Sequence, residues 1–171
     1  MTPREIRNLP ASVHARLLRV ARRRGEYPTL LDFPAPKVLA YPREAVVAEK
    51  TQAMIELGLL NSRLKDYFDV SYLAQTYEFD GTRLQEALEA TLRRRDTPVP
   101  EGRIEALEPE FAADADKQAQ WYAFQRRADL PREELSAVVQ QVRNFVEPVL
   151  LALATRDAFD KRWPAGGPWK H

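Results

Sequence analysis

Cysteine is absent from this 171-residue chain, which excludes disulfides and thiolate metal sites. Histidine is nearly absent: His14 and His171 stand near opposite ends, so a histidine-rich metal site is not expected. Excess charge is missing too. The 26 Lys+Arg and 25 Asp+Glu leave a net charge of +1, which does not indicate a globally basic nucleic-acid binder. No apolar run approaches the roughly 18–20 residues needed to span a bilayer. Arg4, Glu5 and Arg7 have no apolar segment behind them, which argues against a signal peptide. A soluble, cytoplasmic chain is therefore expected, with no internal repeat and no low-complexity tract.

What is present is one domain's worth of chain, 44% hydrophobic, enough for a real core. The charge is unevenly spread. Residues 1–26 hold seven Arg against two Glu, whereas the remainder carries 19 basic and 23 acidic side chains. The N-terminal arm is thus the one basic patch. Ile6, Leu9, Val13, Leu17 and Val20 recur there at helical spacing, predicting an amphipathic helix over 4–24 that Gly25 ends. Arg16, Arg19, Arg22 and Arg23 occupy its other faces. The Arg22-Arg23-Arg24 cluster suits RNA phosphates, and a helix C-terminus that favours cations explains it nearly as well.

Pro28, Pro34 and Pro36 make residues 27–36 a linker, and Val38-Leu39-Ala40-Tyr41 reads as a short strand. From Pro42 onward the pattern is helical. Pro42 suits a first helical turn, and Gly58 ends that helix. Ser62 is a plausible cap for the next, which carries Leu64, Phe68, Leu73 and Tyr77. Asp80 caps a third helix with Leu84, Leu88 and Leu92, closed by Arg93-Arg94-Arg95. Helices over 114–128 and 131–155 follow, the last with Pro148 inside it. The Gly/Pro-rich end, from Ala165, is expected to fray, with Trp163 and Trp169 free to dock on the core or on a partner. The expected divisions are a basic helix at 1–26, a linker with a short strand at 27–41, a helical domain at 42–155 and a flexible tail at 156–171. The fold class is mainly α, with a short β remnant near 29–41.

Two polar motifs interrupt these apolar helices, where burial without a partner would be costly. The first is Ala48-Glu49-Lys50; the second is Arg63-Leu64-Lys65-Asp66-Tyr67-Phe68-Asp69. Lys65 and Asp69 form an i, i+4 pair that can bridge, while Asp66 lies about 100° round the helix from Lys65. An ion-paired helix face, or a bridge between two helices, accounts for this pattern. Phosphate chemistry accounts for it too. A lysine supplies a mobile point charge for a triphosphate, and a carboxylate can hold that lysine, position a cation or accept a proton. Asp114-Ala115-Asp116 reads as a cap and a solvated face. Arg126 and Arg127 beside Trp121 and Tyr122 read as the charged outer side of a buried Trp, more simply than as a nucleic-acid surface.

The run from Tyr27-Pro28-Thr29-Leu30-Leu31-Asp32 through these two motifs resembles the AbiEii/AbiGii nucleotidyltransferase toxins, the toxin halves of type IV toxin–antitoxin pairs. The likeness extends through Phe79-Asp80-Gly81, Arg93-Arg94-Arg95-Asp96-Thr97-Pro98 and Lys117-Gln118-Ala119-Gln120-Trp121. Arg4-Glu5-Ile6-Arg7-Asn8 and Ala15-Arg16-Leu17-Leu18 also look like the start of such proteins. The resemblance implies a small sheet carrying a metal site and a helical domain closing over the nucleotide. It implies that Lys50 and Asp66 are the catalytic matches, and that Lys50, Arg63 and Lys65 contact the nucleotide. Mg2+ and a nucleoside triphosphate are implied as well, but their principal ligands, a Gly-Ser turn and an Asp-x-Asp pair upstream of Lys50, are missing; no metal ligand is assigned. The expected protein is a truncated, inactive relative of enzymes that transfer a nucleotide to an RNA such as tRNA. The alternative is a non-catalytic interaction module that binds a cognate antitoxin or an intact toxin. Contact with tRNA through the basic N-terminal helix, and self-association through its apolar face, are further expectations.

Overall fold

A computed structural model describes residues 42–171. The helix expected over 4–24 and the strand expected within 29–41 lie outside the described residues. Six α-helices are described: α1 (Arg43–Leu57), α2 (Leu64–Thr76), α3 (Gly81–Arg94), α4 (Pro109–Ala113), α5 (Ala115–Arg127) and α6 (Leu135–Thr155). The one sheet among these residues pairs β1 (Phe79–Asp80) with β2 (Arg162–Trp163), so the mainly helical class is observed.

The helix patterns explain the packing. On α3, Leu84, Leu88 and Leu92 form a four-residue repeat that is at most 1% exposed, and this face packs on α1. Asp80 accepts the Arg83 N–H at 3.1 Å as the expected cap, a contact worth about 1 kcal/mol. On α6, Val138, Val142, Phe145, Val146 and Val149 are fully buried against α2, α3 and α4. Each such side chain removed from water contributes about 1.5–3 kcal/mol. The helix continues through Pro148 but starts at Leu135, not at Pro131. Glu133 and Glu134 therefore precede it rather than filling its first turn.

The central helix is α2. Tyr67 to Ala74 is buried without a break, because α1, α5 and α6 cover it from different sides. A helix covered all round has no solvent face on which to place charge cheaply. Its start differs from expectation. Ser62 is exposed and no side chain caps the helix; just ahead of it, the fully buried Asn61 accepts the Arg63 N–H through Oδ1 at 2.8 Å.

The tail also departs from expectation: it is packed, not frayed. Its aromatic residues outweigh its Gly/Pro content. Trp163 is 3% exposed, lies tilted against Phe145 with ring centroids 4.9 Å apart, and donates Nε1–H to the Ala74 carbonyl at 2.7 Å. Trp169 donates to the Phe145 carbonyl at 2.9 Å. Gly81 makes the approach possible. A Cβ there would lie 2.6 Å from the Phe159 carbonyl oxygen, and the Gly81 N–H donates to Lys161 O at 2.8 Å.

Candidate functional site

The two polar motifs meet where α1 lies against α2. Lys50, in the middle of α1, donates to Asp66 Oδ1 at 2.5 Å and lies 2.8 Å from Asp69 Oδ2. Lys65 pairs with the same Asp69 oxygen along α2. Asp66 and Asp69 are three residues apart, so one helix presents both to the same ammonium. The result is a linked quartet, Asp66–Lys50–Asp69–Lys65, with formal charges that cancel.

Burial gives the quartet its character. The side chains of Lys50, Asp66 and Asp69 are 17%, 18% and 12% exposed, whereas Lys65 is 37% exposed and reaches solvent. Burial by itself lowers the pKa of the Lys50 ammonium. The field of Asp69, together with hydrogen bonds to both carboxylates, outweighs that and raises it above the ordinary value. Lys50 is thus a fixed cation at every physiological pH. Beside it, Tyr67 is buried and donates to the Ala106 carbonyl at 2.9 Å; burial, then the charge of Asp66, push its ionisation well upward.

Of the residues expected to touch a nucleotide, the structure brings Lys50, Asp66 and Lys65 together. Arg63 stands apart: it is exposed, just ahead of α2, with no ion pair among the described residues. Asp69 was not singled out by sequence as a site residue, although its i+3 and i+4 spacing to Asp66 and Lys65 was the available signal. Glu49 faces the other way on α1 and pairs with both Arg94 and Arg95, at 3.0 Å to Arg95, from the end of α3. Gln52, one turn on, donates to Thr97 at 2.8 Å. No local spacing could have revealed these contacts. Elsewhere, Asp114 caps α5 by accepting the Lys117 N–H, and Trp121 is fully buried, as expected.

Three stretches therefore converge on the middle of α1: Ala48–Lys50 itself, Arg63–Asp69 and Arg93–Pro98. The sequence family described as nucleotidyl transferase AbiEii toxin, type IV TA system, matches residues 17–148 of the chain. This chain belongs to the AbiEii family. Comparison with curated proteins and with solved structures gives no match. The AbiEii match takes in all three converging stretches and stops before the packed tail. It also implies an antitoxin partner for the chain. A magnesium ion does not fit the AbiEii-family quartet seen here, because Asp66 and Asp69 are each held by an ammonium. Among the described residues, no three His, Cys, Asp or Glu side chains gather to hold a metal. No helix of the described residues is long and apolar enough to cross a membrane.

Proposed function

We propose that this AbiEii-family chain retains the nucleotide-facing helical half of a nucleotidyltransferase toxin and lacks transfer activity by itself. Lys50 is the phosphate contact, Asp66 its acidic partner, and Arg63 and Lys65 supply further positive charge at the rim. The ancestral substrates are a nucleoside triphosphate, carried with Mg2+, and an RNA acceptor such as tRNA. The observation that carries this reading is the quartet: a largely buried cation held by two carboxylates, each paired with an ammonium and so not free for a metal. The sequence supports it, since no Asp-x-Asp pair occurs upstream of Lys50. Two-metal phosphoryl transfer without such a pair loses the clamp on its transition-state charge.

The test is label transfer from nucleoside triphosphates to bulk tRNA with magnesium or manganese, alongside Lys50→Ala and Asp66→Ala. No incorporation is expected, together with weak triphosphate binding that Lys50→Ala abolishes. Incorporation that both substitutions remove would sink the claim of inactivity.

A second reading is an interaction module for a cognate antitoxin or an intact toxin, within the cytoplasm. It is favoured by Leu59 and Leu60, 45% and 88% exposed at the corner between α1 and α2. Co-purification of the antitoxin with wild-type chain but not with Leu60→Asp would support it. Contact with tRNA through residues 1–26, and self-association, remain proposals of the same kind; a salt-insensitive RNA affinity would count against the former.

A further inference from the structure

The two carboxylates of the quartet are not equivalent. Asp69 Oδ2 receives both lysines, Lys50 at 2.8 Å and Lys65 from one turn back, whereas Asp66 Oδ1 receives Lys50 alone. Asp69 is also the deeper of the two. It is flanked by the buried Phe68 and Val70 in the covered part of α2, while Asp66 sits in the exposed-edged first turn. Its helix position is fixed by packing on both sides, and it ties the solvent-reaching Lys65 to the interior Lys50.

We infer that Asp69 is the positioning residue of this site, fixing Lys50 and Lys65 to each other, so that Asp66 alone gives way to an entering phosphate. The inference rests on the phosphate reading above for its second half only. An ammonium has three protons. Lys50 keeps one bond to Asp69 while an incoming phosphate oxygen takes the place of Asp66. Asp66 is then released at the mouth of the site, next to the bound phosphate. Two lysines that share a carboxylate also stay close enough to grip one phosphate group from two sides. Without Asp69 they would repel each other.

Charge alone predicts that removing either carboxylate strengthens anion binding. Positioning predicts opposite signs, and that separates the two accounts. In the full chain, inorganic tripolyphosphate is titrated by calorimetry into wild type, Asp66→Asn and Asp69→Asn. In parallel, the Lys50 ammonium is followed by nitrogen-15 NMR with lysine labelling, assigned by Lys50→Met.

Asp66→Asn should bind tripolyphosphate about tenfold more tightly, the scale of one removed charge near an ion pair. Asp69→Asn should bind it several-fold more weakly and lose the slowly exchanging Lys50 signal, which Asp66→Asn keeps. Equal gains in affinity, or a Lys50 signal lost in Asp66→Asn and kept in Asp69→Asn, would overturn the inference. Should Asp69→Asn fail to fold, Lys65→Met decides the first half. It hands Asp69 wholly to Lys50, so the Lys50 signal should exchange more slowly than in wild type; faster exchange would overturn it. Absence of tripolyphosphate binding in every form, wild type included, sinks the phosphate reading and with it the second half. The NMR comparison still decides the first half.

Discussion

The Lys50 ammonium donates to Asp66 Oδ1 at 2.5 Å, joining two motifs that stand 16 residues apart in the chain. That bond, with its companion to Asp69, fastens α1 to the most deeply buried helix of the bundle. Its loss should therefore be felt in stability as well as in any ligand binding.

Lys50→Met leaves Asp66 and Asp69 close together with only Lys65 between them. The expected cost is about 1–3 kcal/mol, between that of an exposed pair and that of a fully buried one. Urea unfolding measures it. Adding Asp66→Asn and Asp69→Asn to Lys50→Met should recover most of the loss; a triple variant no better than the single would show that packing, not charge, is responsible.

Stability should fall as pH rises above about 10. The folded pKa of Lys50 is raised, so its contribution is complete below the ordinary lysine value of 10.5 and is lost as pH climbs through the higher folded value. Tyr67 acts in the same direction. Above its ordinary value of 10.0 the unfolded chain ionises while the buried, hydrogen-bonded phenol does not. Unfolding free energies from pH 8 to 11 should decline less steeply in Lys50→Met and in Tyr67→Phe than in wild type. Parallel profiles would rule out both groups as the cause.

Trp163→Ala should cost about 3–5 kcal/mol, the range for a buried aromatic residue replaced by Ala. The indole is 3% exposed, packs at an angle against both Phe145 and Trp169, and donates to the Ala74 carbonyl. A change below about 1 kcal/mol in urea unfolding would mean that the tail does not hold the bundle together.

Gly81→Ala should lift the tail without disturbing α3. The added methyl meets backbone oxygens of Phe159 and Lys161 at 2.6 and 2.7 Å, which cannot rotate away. Amide exchange should accelerate in residues 159–170 while residues 84–92 keep their protection. Uniform acceleration through both segments would argue against a local clash.

The helices were legible because their apolar spacing is strong: Leu84, Leu88 and Leu92 on α3, and Val138, Val142, Phe145 and Val149 on α6. The Asp80 and Asp114 caps were legible for the same local reason, since each acts within three residues. A bridge between the two helices is one of the readings the motifs allow, and the packing of α1 on α2 is what brings Lys50 to Asp66. The expected fraying of the tail rests on composition alone, whereas the docking of its tryptophans on the core, one of the two outcomes expected for them, is what holds it. Gly166, Gly167 and Pro168 signal a loose end locally, yet Trp163 and Trp169 find Phe145, a residue no nearby spacing points to. Glu49 with Arg94 and Arg95 was beyond reach in the same way, because the pair spans the long return from α1 to the end of α3.

Trp121 and Trp163 close contacts of very different reach. Trp121 donates to the Glu133 carbonyl, only 12 residues along the chain, whereas Trp163 donates to Ala74, 89 residues away. Closing the longer loop carries the larger entropy cost and is rewarded only once the helices that supply Ala74 and Phe145 are in place. After dilution from denaturant, Trp121 emission should therefore settle with the early, local part of the refolding trace. Trp163 emission should mark its end, so single-tryptophan versions of this one chain would time the two halves of its assembly separately.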